Sequence, residues 1–325
     1  MPTGIKDQIY EQLGCVFSLR TKKFLLGYFF ASLIAGLGFA VWRTILMLQY
    51  YEPYTKEYAF EAKSSLEIFG FTLFIVLLLL ATASFFFVKI KFLGGECEFS
   101  EVSASNHQST VFTSALLGFL FLAVFVFLAF SLKEMMLPSY YKTYQALQLI
   151  SFLLLPFVGI YFILNSLESS RFDHIKKIFS FIPTLWCVIF LIDSYLNPMY
   201  LYNDFNHTLC NVSLCALVCF FLYETKTVIR KKANAAHFVF SLLAIVLCMA
   251  YIVPNFILLA YWELSSELHF IFEAIQLGAI IYMASVSLIL ISSLKKCESP
   301  EVETEYMDFE EYSEFVKKNQ DSTES

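Results

Sequence analysis

Charge is scarce in this sequence: Asp, Glu, Lys and Arg together make up 15% of its 325 residues, while 58% are hydrophobic. An ordinary soluble domain has about 25% charged and about 45–50% apolar residues. A larger core cannot absorb the difference, because the buried fraction grows only slowly with length, and a soluble globular protein is excluded. Enzyme signatures are missing too. No GxSxG elbow, HExxH pair or phosphate-binding P-loop occurs, so spacing singles out no serine, zinc or nucleotide site. No catalytic residue, cofactor or nucleic-acid partner is expected. None of the eight cysteines forms a CxxC pair. Cys215 and Cys219 stand four residues apart inside an apolar run and read as small packing groups rather than metal ligands. Internal repeats are not evident: Pro156, Pro183 and Pro254 do not fall at matching positions when the chain is halved, which counts modestly against a secondary transporter built from repeats. The first apolar run is long and lacks an obvious small-residue cleavage site, so it reads as an anchor rather than a cleavable signal.

Long hydrophobic runs are what the sequence does have. A helix needs about 20 predominantly apolar residues to cross a hydrocarbon core about 30 Å thick. Eight such runs are predicted, at 24–49, 68–88, 111–132, 147–167, 178–196, 208–229, 238–262 and 268–291. The sixth is the most dilute, because it contains Asn211, Ser213 and Glu224. The 37 phenylalanines suit lipid-facing surfaces. Every connection is short, so no separate soluble domain fits between spans. The expected fold class is all-α: a polytopic bundle of about eight transmembrane helices.

The basic residues give this layout an orientation. With the N-terminus inside, the inner segments hold 17 of the 22 Lys and Arg, leaving Arg43, Lys56, Lys63, Lys133 and Lys142 outside. Short loops rich in Lys and Arg stay cytoplasmic, so both ends are expected inside. Residues 1–23 form a cytoplasmic segment with Ile5, Ile9, Leu13, Val16 and Phe17 at helical spacing, as an interfacial helix would have. Residues 24–294 form the membrane domain. Residues 295–325 form an acidic cytoplasmic tail, with ten carboxylates after Cys297 against Lys317 and Lys318. Tails of that composition are usually solvated. In this one, Tyr306, Phe309, Tyr312 and Phe315 recur every three residues, an aromatic stripe that would suit docking to a cytoplasmic protein.

Ionisable groups inside spans are costly and are candidates for function. Arg43 lies about 10 Å from the outer end of the first span and Glu273 about 8 Å from the outer end of the eighth, at about 1.5 Å rise per residue. These depths allow a ligand-binding or structural ion pair, with Asp193 a shallower competitor. Glu273 and Gln276, with Asn255 beside Pro254, read as polar groups bonding between helices. The carbonyl freed by Pro254 needs a donor, which Asn255 or a neighbour could supply. His269 and Glu273, with His207 and Asp204, permit a metal site to be drawn, but nothing holds the loop against the helix, and no metal is expected. Aromatics crowd the outer boundary, Trp42, Tyr50, Tyr51, Tyr195, Tyr261 and Trp262 among them, as an interfacial belt does. In the first span, Gly27, Ala31 and Ala35 form one small-residue row, and Ser32, Gly36 and Ala40 another; both are expected to let helices approach closely.

The sequence therefore points to a multi-pass protein of a cell membrane, with a bacterial cytoplasmic membrane preferred, in contact with lipids. The leading functional expectation is a non-enzymatic transport-related or accessory membrane module. The alternatives are an intramembrane enzyme acting on a lipid or amphipathic substrate, and a membrane sensor signalling through its acidic tail. Asn206-His207-Thr208 and Asn211-Val212-Ser213 also fit the glycosylation pattern.

Overall fold

The computed structural model describes residues 3–52, 57–92, 108–135, 142–167, 172–196, 205–230, 235–262 and 267–292. These residues form helices α1 (Thr3–Tyr50), α2 (Lys63–Phe92), α3 (Gln108–Met135), α4 (Lys142–Ser166), α5 (Asp173–Phe179), α6 (Phe181–Leu196), α7 (Phe205–Arg230), α8 (Ala235–Trp262) and α9 (Glu267–Ser292). A small hairpin of β1 (Tyr51–Glu52) and β2 (Glu57–Tyr58) joins α1 to α2, with Tyr51 opposite Tyr58. Eight helical segments are long and apolar enough to cross a membrane, and the chain is a multi-pass integral membrane protein of the all-α class. The spans lie in one compact unit, Phe24–Leu294, while Met1–Lys23 and Lys295–Ser325 fall in a second; of the latter, Thr3–Lys23 is helical and the acidic tail lies outside the described residues.

Helices form here because hydrocarbon supplies no partner for an unpaired backbone group, so each segment must satisfy its own. Hydroxyls inside the spans follow the same rule by turning back on their own helix: Thr44 donates to the Ala40 carbonyl at 2.8 Å and Thr72 to the Ile68 carbonyl at 2.7 Å. The outward faces are apolar, with Ile34, Phe71, Phe130 and Ile178 all widely exposed. Sidedness therefore comes from small and polar groups turned inward rather than from a polar outer face.

The fifth span is two helices. Pro183 has no N–H to offer the Phe179 carbonyl, and the chain breaks at Ser180, whose N–H closes α5 on the Lys176 carbonyl at 2.8 Å. Lys176 itself is buried and donates to the Leu167 carbonyl at 2.6 Å, which satisfies a backbone group at the end of the fourth span.

The extensive helix contacts are α3 with α4, α4 with α6, α6 with α7, α7 with α8, α8 with α9 and α9 with α3. Together they close a ring of six helices. Inside it, Phe121, Phe162, Trp186, Phe220, Phe221 and Tyr282 form a continuous aromatic cluster, with neighbouring centroids 5.1–6.3 Å apart. Helix α2 packs on the outside of α8 and its span is the least buried of the eight, whereas that of α9 is the most buried. Helix α1 reaches the rest through long side chains: Phe39 and Trp42 pack on Phe69 of α2, and the Tyr28 hydroxyl donates to the Leu80 carbonyl. Trp42 thus packs within the bundle, while Tyr195 stays on the surface.

The two small-residue rows of α1 separate in the structure. Ser32 and Ala40 are buried, and a Cβ on Gly36 would lie 3.0 Å from the Met249 sulfur and 3.4 Å from the Val246 backbone of α8. Nothing lies within 4 Å of such an atom on Gly27, and Ala31 beside it is exposed. Only the Gly36 row serves a helix contact in this chain. The tighter crossing is between α3 and α4, where Gly118 and Gly159 face each other.

Candidate functional site

Arg43 is fully enclosed, at 0% exposure, and the fold has built a shell of acceptors around it. Its Nη1 donates to the carbonyls of Ala250 at 3.0 Å and Tyr251 at 2.5 Å. Pro254 explains the first: without an N–H at position 254, the carbonyl four residues earlier has no helical donor. Arg43 on α1 supplies one. Its Nη2 donates to the amide oxygens of Asn206 at 2.6 Å and Asn255 at 3.1 Å, and the guanidinium lies 5.4 Å from the centroid of the Tyr251 ring. Nε is buried without an acceptor among the described residues.

Asn255 then passes the contact on. While its Oδ1 accepts from Arg43, its Nδ2 donates to Glu273 Oε1 at 2.8 Å. Arg43 and Glu273 therefore belong to one network, but as an amide-bridged pair rather than a contact ion pair. One neutral amide satisfies both charges, which holds α1, α8 and α9 together with α7 joined through Asn206. Such an arrangement is costly to leave half-made, since each member would strand the next.

Asp193 stands apart from this network. It is buried near the C-terminal end of α6, and its Oδ1 has no partner among the described residues. Next to it, Ser194 donates to Asn211 Oδ1 at 2.9 Å, and the Ser194 carbonyl lies 2.8 Å from His207 Nε2. Since a carbonyl only accepts, that ring nitrogen carries the proton. His207 is thus occupied by backbone. Asp204 and the side chain of His269 lie outside the described residues, and among those described no group of three or more His, Cys, Asp or Glu could hold a metal ion. Asn206 and Asn211 are both within α7 and bonded into the bundle, so neither is free to take a glycan.

A second buried carboxylate lies far from the first. Glu224 is 5% exposed and its Oε1 accepts two phenolic hydroxyls, from Tyr161 at 3.1 Å and Tyr282 at 2.5 Å. Asn165 Nδ2 donates in turn to the Tyr282 oxygen at 3.2 Å. Glu224 Oε2 is buried with no partner among the described residues. Tyr161, Glu224 and Tyr282 come from α4, α7 and α9, which are alternate members of the six-helix ring. Three alternate members can meet only near the centre, so this carboxylate sits on the axis. It lies six residues from the end of α7 at Arg230, about 9 Å, and eighteen from Asn206, about 27 Å, at about 1.5 Å per residue.

No protein-family model, curated protein or solved structure matches this chain. Its function has to be argued from this geometry.

Sequence reasoning reached Arg43 and Glu273 through their depth and Asn255 through its place beside Pro254, and missed Glu224, which it treated only as a dilution of the sixth span. The same depth rule would have found it: Glu224 lies five residues from the inner end of the span predicted at 208–229, as Glu273 lies five from the outer end of the span at 268–291. Tyr161, Asn165 and Tyr282 gave no comparable signal, because uncharged side chains of these kinds are common in membrane spans. The docking stripe of Tyr306, Phe309, Tyr312 and Phe315 lies outside the described residues.

Proposed function

We propose that this chain is a non-enzymatic, transport-related module of a cell membrane, in which a small polar solute or ion moves through the six-helix ring. The observation that carries this reading is the placing of carboxylates inside both ends of one apolar bundle, half-buried Glu273 with buried Arg43 at one end and buried Glu224 at the other. Buried charge is a poor device for stability alone, since apolar groups of similar volume do as well or better. Polar stations at two depths are what a path across a membrane requires. An enzyme would be expected to hold a nucleophile beside a base on one side, and no such grouping accompanies either carboxylate.

In this reading the membrane is a bacterial cytoplasmic one, both termini are cytoplasmic, lipids surround the spans, and the acidic tail offers Tyr306, Phe309, Tyr312 and Phe315 to a cytoplasmic protein. Orientation has a direct test. Membrane-impermeant thiol probes should label cysteines introduced at Lys63 and Tyr200 from outside, above the parent chain, and should not label those at Gly95 or Lys231. External labelling at Gly95 would break the eight-span layout.

Transport itself is read by electrophysiology on solid-supported membranes carrying the full chain in liposomes. Concentration jumps of protons, sodium, potassium, chloride and a mixture of amino acids should include at least one that displaces charge above protein-free liposomes. Silence in every jump would overturn the transport reading.

A further inference from the structure

Among the described residues, Glu224 Oε2 on the ring axis has no hydrogen-bond partner. Its twin, Oε1, is saturated by two hydroxyl donors. Each tyrosine hydroxyl gives its one proton to the carboxyl, and the Tyr282 oxygen also accepts from Asn165. Among the described residues, the carboxyl oxygen left without a partner lies in an apolar setting of Phe162, Phe220 and Phe221.

The chemistry of that oxygen selects its ligand. A metal cation such as calcium or magnesium gathers six or more oxygens, and sodium likewise needs several. One oxygen cannot build such a shell. A proton needs only one atom. Binding it turns the carboxylate into a neutral acid, which removes the cost of an ion far from water, while Oε1 keeps both tyrosine bonds. We propose that Glu224 is a proton-binding site: it takes a proton on Oε2 and releases it, and so couples proton movement to the transport proposed above, on which the coupling role rests.

The fold supplies a second titratable group between Glu224 and the nearer bundle end. His237 is 2% exposed and lies two residues inside the start of α8; its ring is 5.0 Å from that of Phe220, which also touches Tyr282. Its Nδ1 lies 3.4 Å from the Thr227 hydroxyl, and its Nε2 has no partner among the described residues. His237 is thus placed one ring away from the carboxyl site and nearer the boundary. The titratable groups around Glu224 are Tyr161 on α4, Tyr282 on α9 and, across Phe220, His237 on α8.

Infrared difference spectroscopy of the reconstituted full chain between acid and alkaline pH tests the site. The wild type should show a carbonyl stretch of a protonated carboxylic acid that disappears in Glu224→Gln and persists in Glu273→Gln and Asp193→Asn. Tyr161→Phe keeps the carboxyl and removes one hydrogen bond to it, so the band should remain but move in frequency. That shift would assign the band to the carboxyl that the Tyr161 hydroxyl touches. Absence of the band in folded wild type, or its survival in Glu224→Gln, overturns the proposal whatever the solute currents show. Should the band behave as expected while pH-driven currents remain unchanged in Glu224→Gln, the coupling role is overturned and the transport reading stands. If no jump of any solute evokes a current in wild type, the transport reading falls and the coupling role falls with it, even where the band is present.

Discussion

Replacing Arg43 with methionine should lower the melting temperature in detergent by on the order of 10 °C, the largest effect of any single conservative-volume change in this bundle. The guanidinium donates to two backbone carbonyls and two amide oxygens, all in the interior. Methionine fills much of the space and satisfies none of them. Losing one member of a buried charged network costs roughly 3–5 kcal/mol, because the remaining acceptors are too deep to find water. The Ala250 carbonyl is hit hardest, since Pro254 denies it any helical replacement. Lysine at position 43 should recover only part of the loss, because three donors at one point cannot replace a planar fork that spans four acceptors.

Glu273→Gln tests how far the coupling reaches. Glutamine can still accept from Asn255, so the single change should cost little, while in the Arg43→Met background it should recover stability by neutralising a carboxylate that no longer shares a network with a cation. This non-additivity should vanish when Asn255 is replaced by leucine, because the bridge runs through that amide. Additive losses with Asn255 intact would show that the two charges do not communicate, and the bridge would then be no more than adjacent geometry.

Gly118→Ala should destabilise the bundle by about 1–3 kcal/mol, a large response to one methyl group. Its Cβ would fall 2.8 Å from the Gly159 carbonyl oxygen and 3.0 Å from the Ile163 backbone nitrogen of α4. Backbone cannot rotate away as a side chain can, so the two helices must separate. The α3–α4 contact is the most extensive in the ring, and association inside a membrane rests on such close packing rather than on escape from water. Gly27→Ala is the control, since nothing lies within 4 Å of the added atom. It should be neutral or stabilising by up to about 1 kcal/mol, as alanine is the better helix former. Thermal denaturation followed by a thiol-reactive dye, which reports buried cysteines such as Cys187 and Cys248 as they open, would compare the two. Equal stability of Gly118→Ala and wild type would mean that α3 and α4 do not cross this closely.

The amino-acid sequence by itself determined the number and position of the membrane-crossing helices, because hydrocarbon imposes one length and one way of pairing backbone groups. It also marked Arg43 and Glu273, because charge stands out against an apolar span. It did not determine which faces meet. The helices are apolar nearly all round, so periodicity does not point inward, and two small-residue rows on α1 looked equivalent until Gly36 was found against Met249 and Gly27 against nothing. Nor could it place Asn206 and Asn255 around one guanidinium, or Tyr161 and Tyr282 on one carboxylate, since these partners are separated by between 58 and 212 positions in the chain. Those meetings follow from the closure of the six-helix ring. Three alternate helices share only its axis, and on that axis Glu224 keeps one oxygen that no described side chain satisfies.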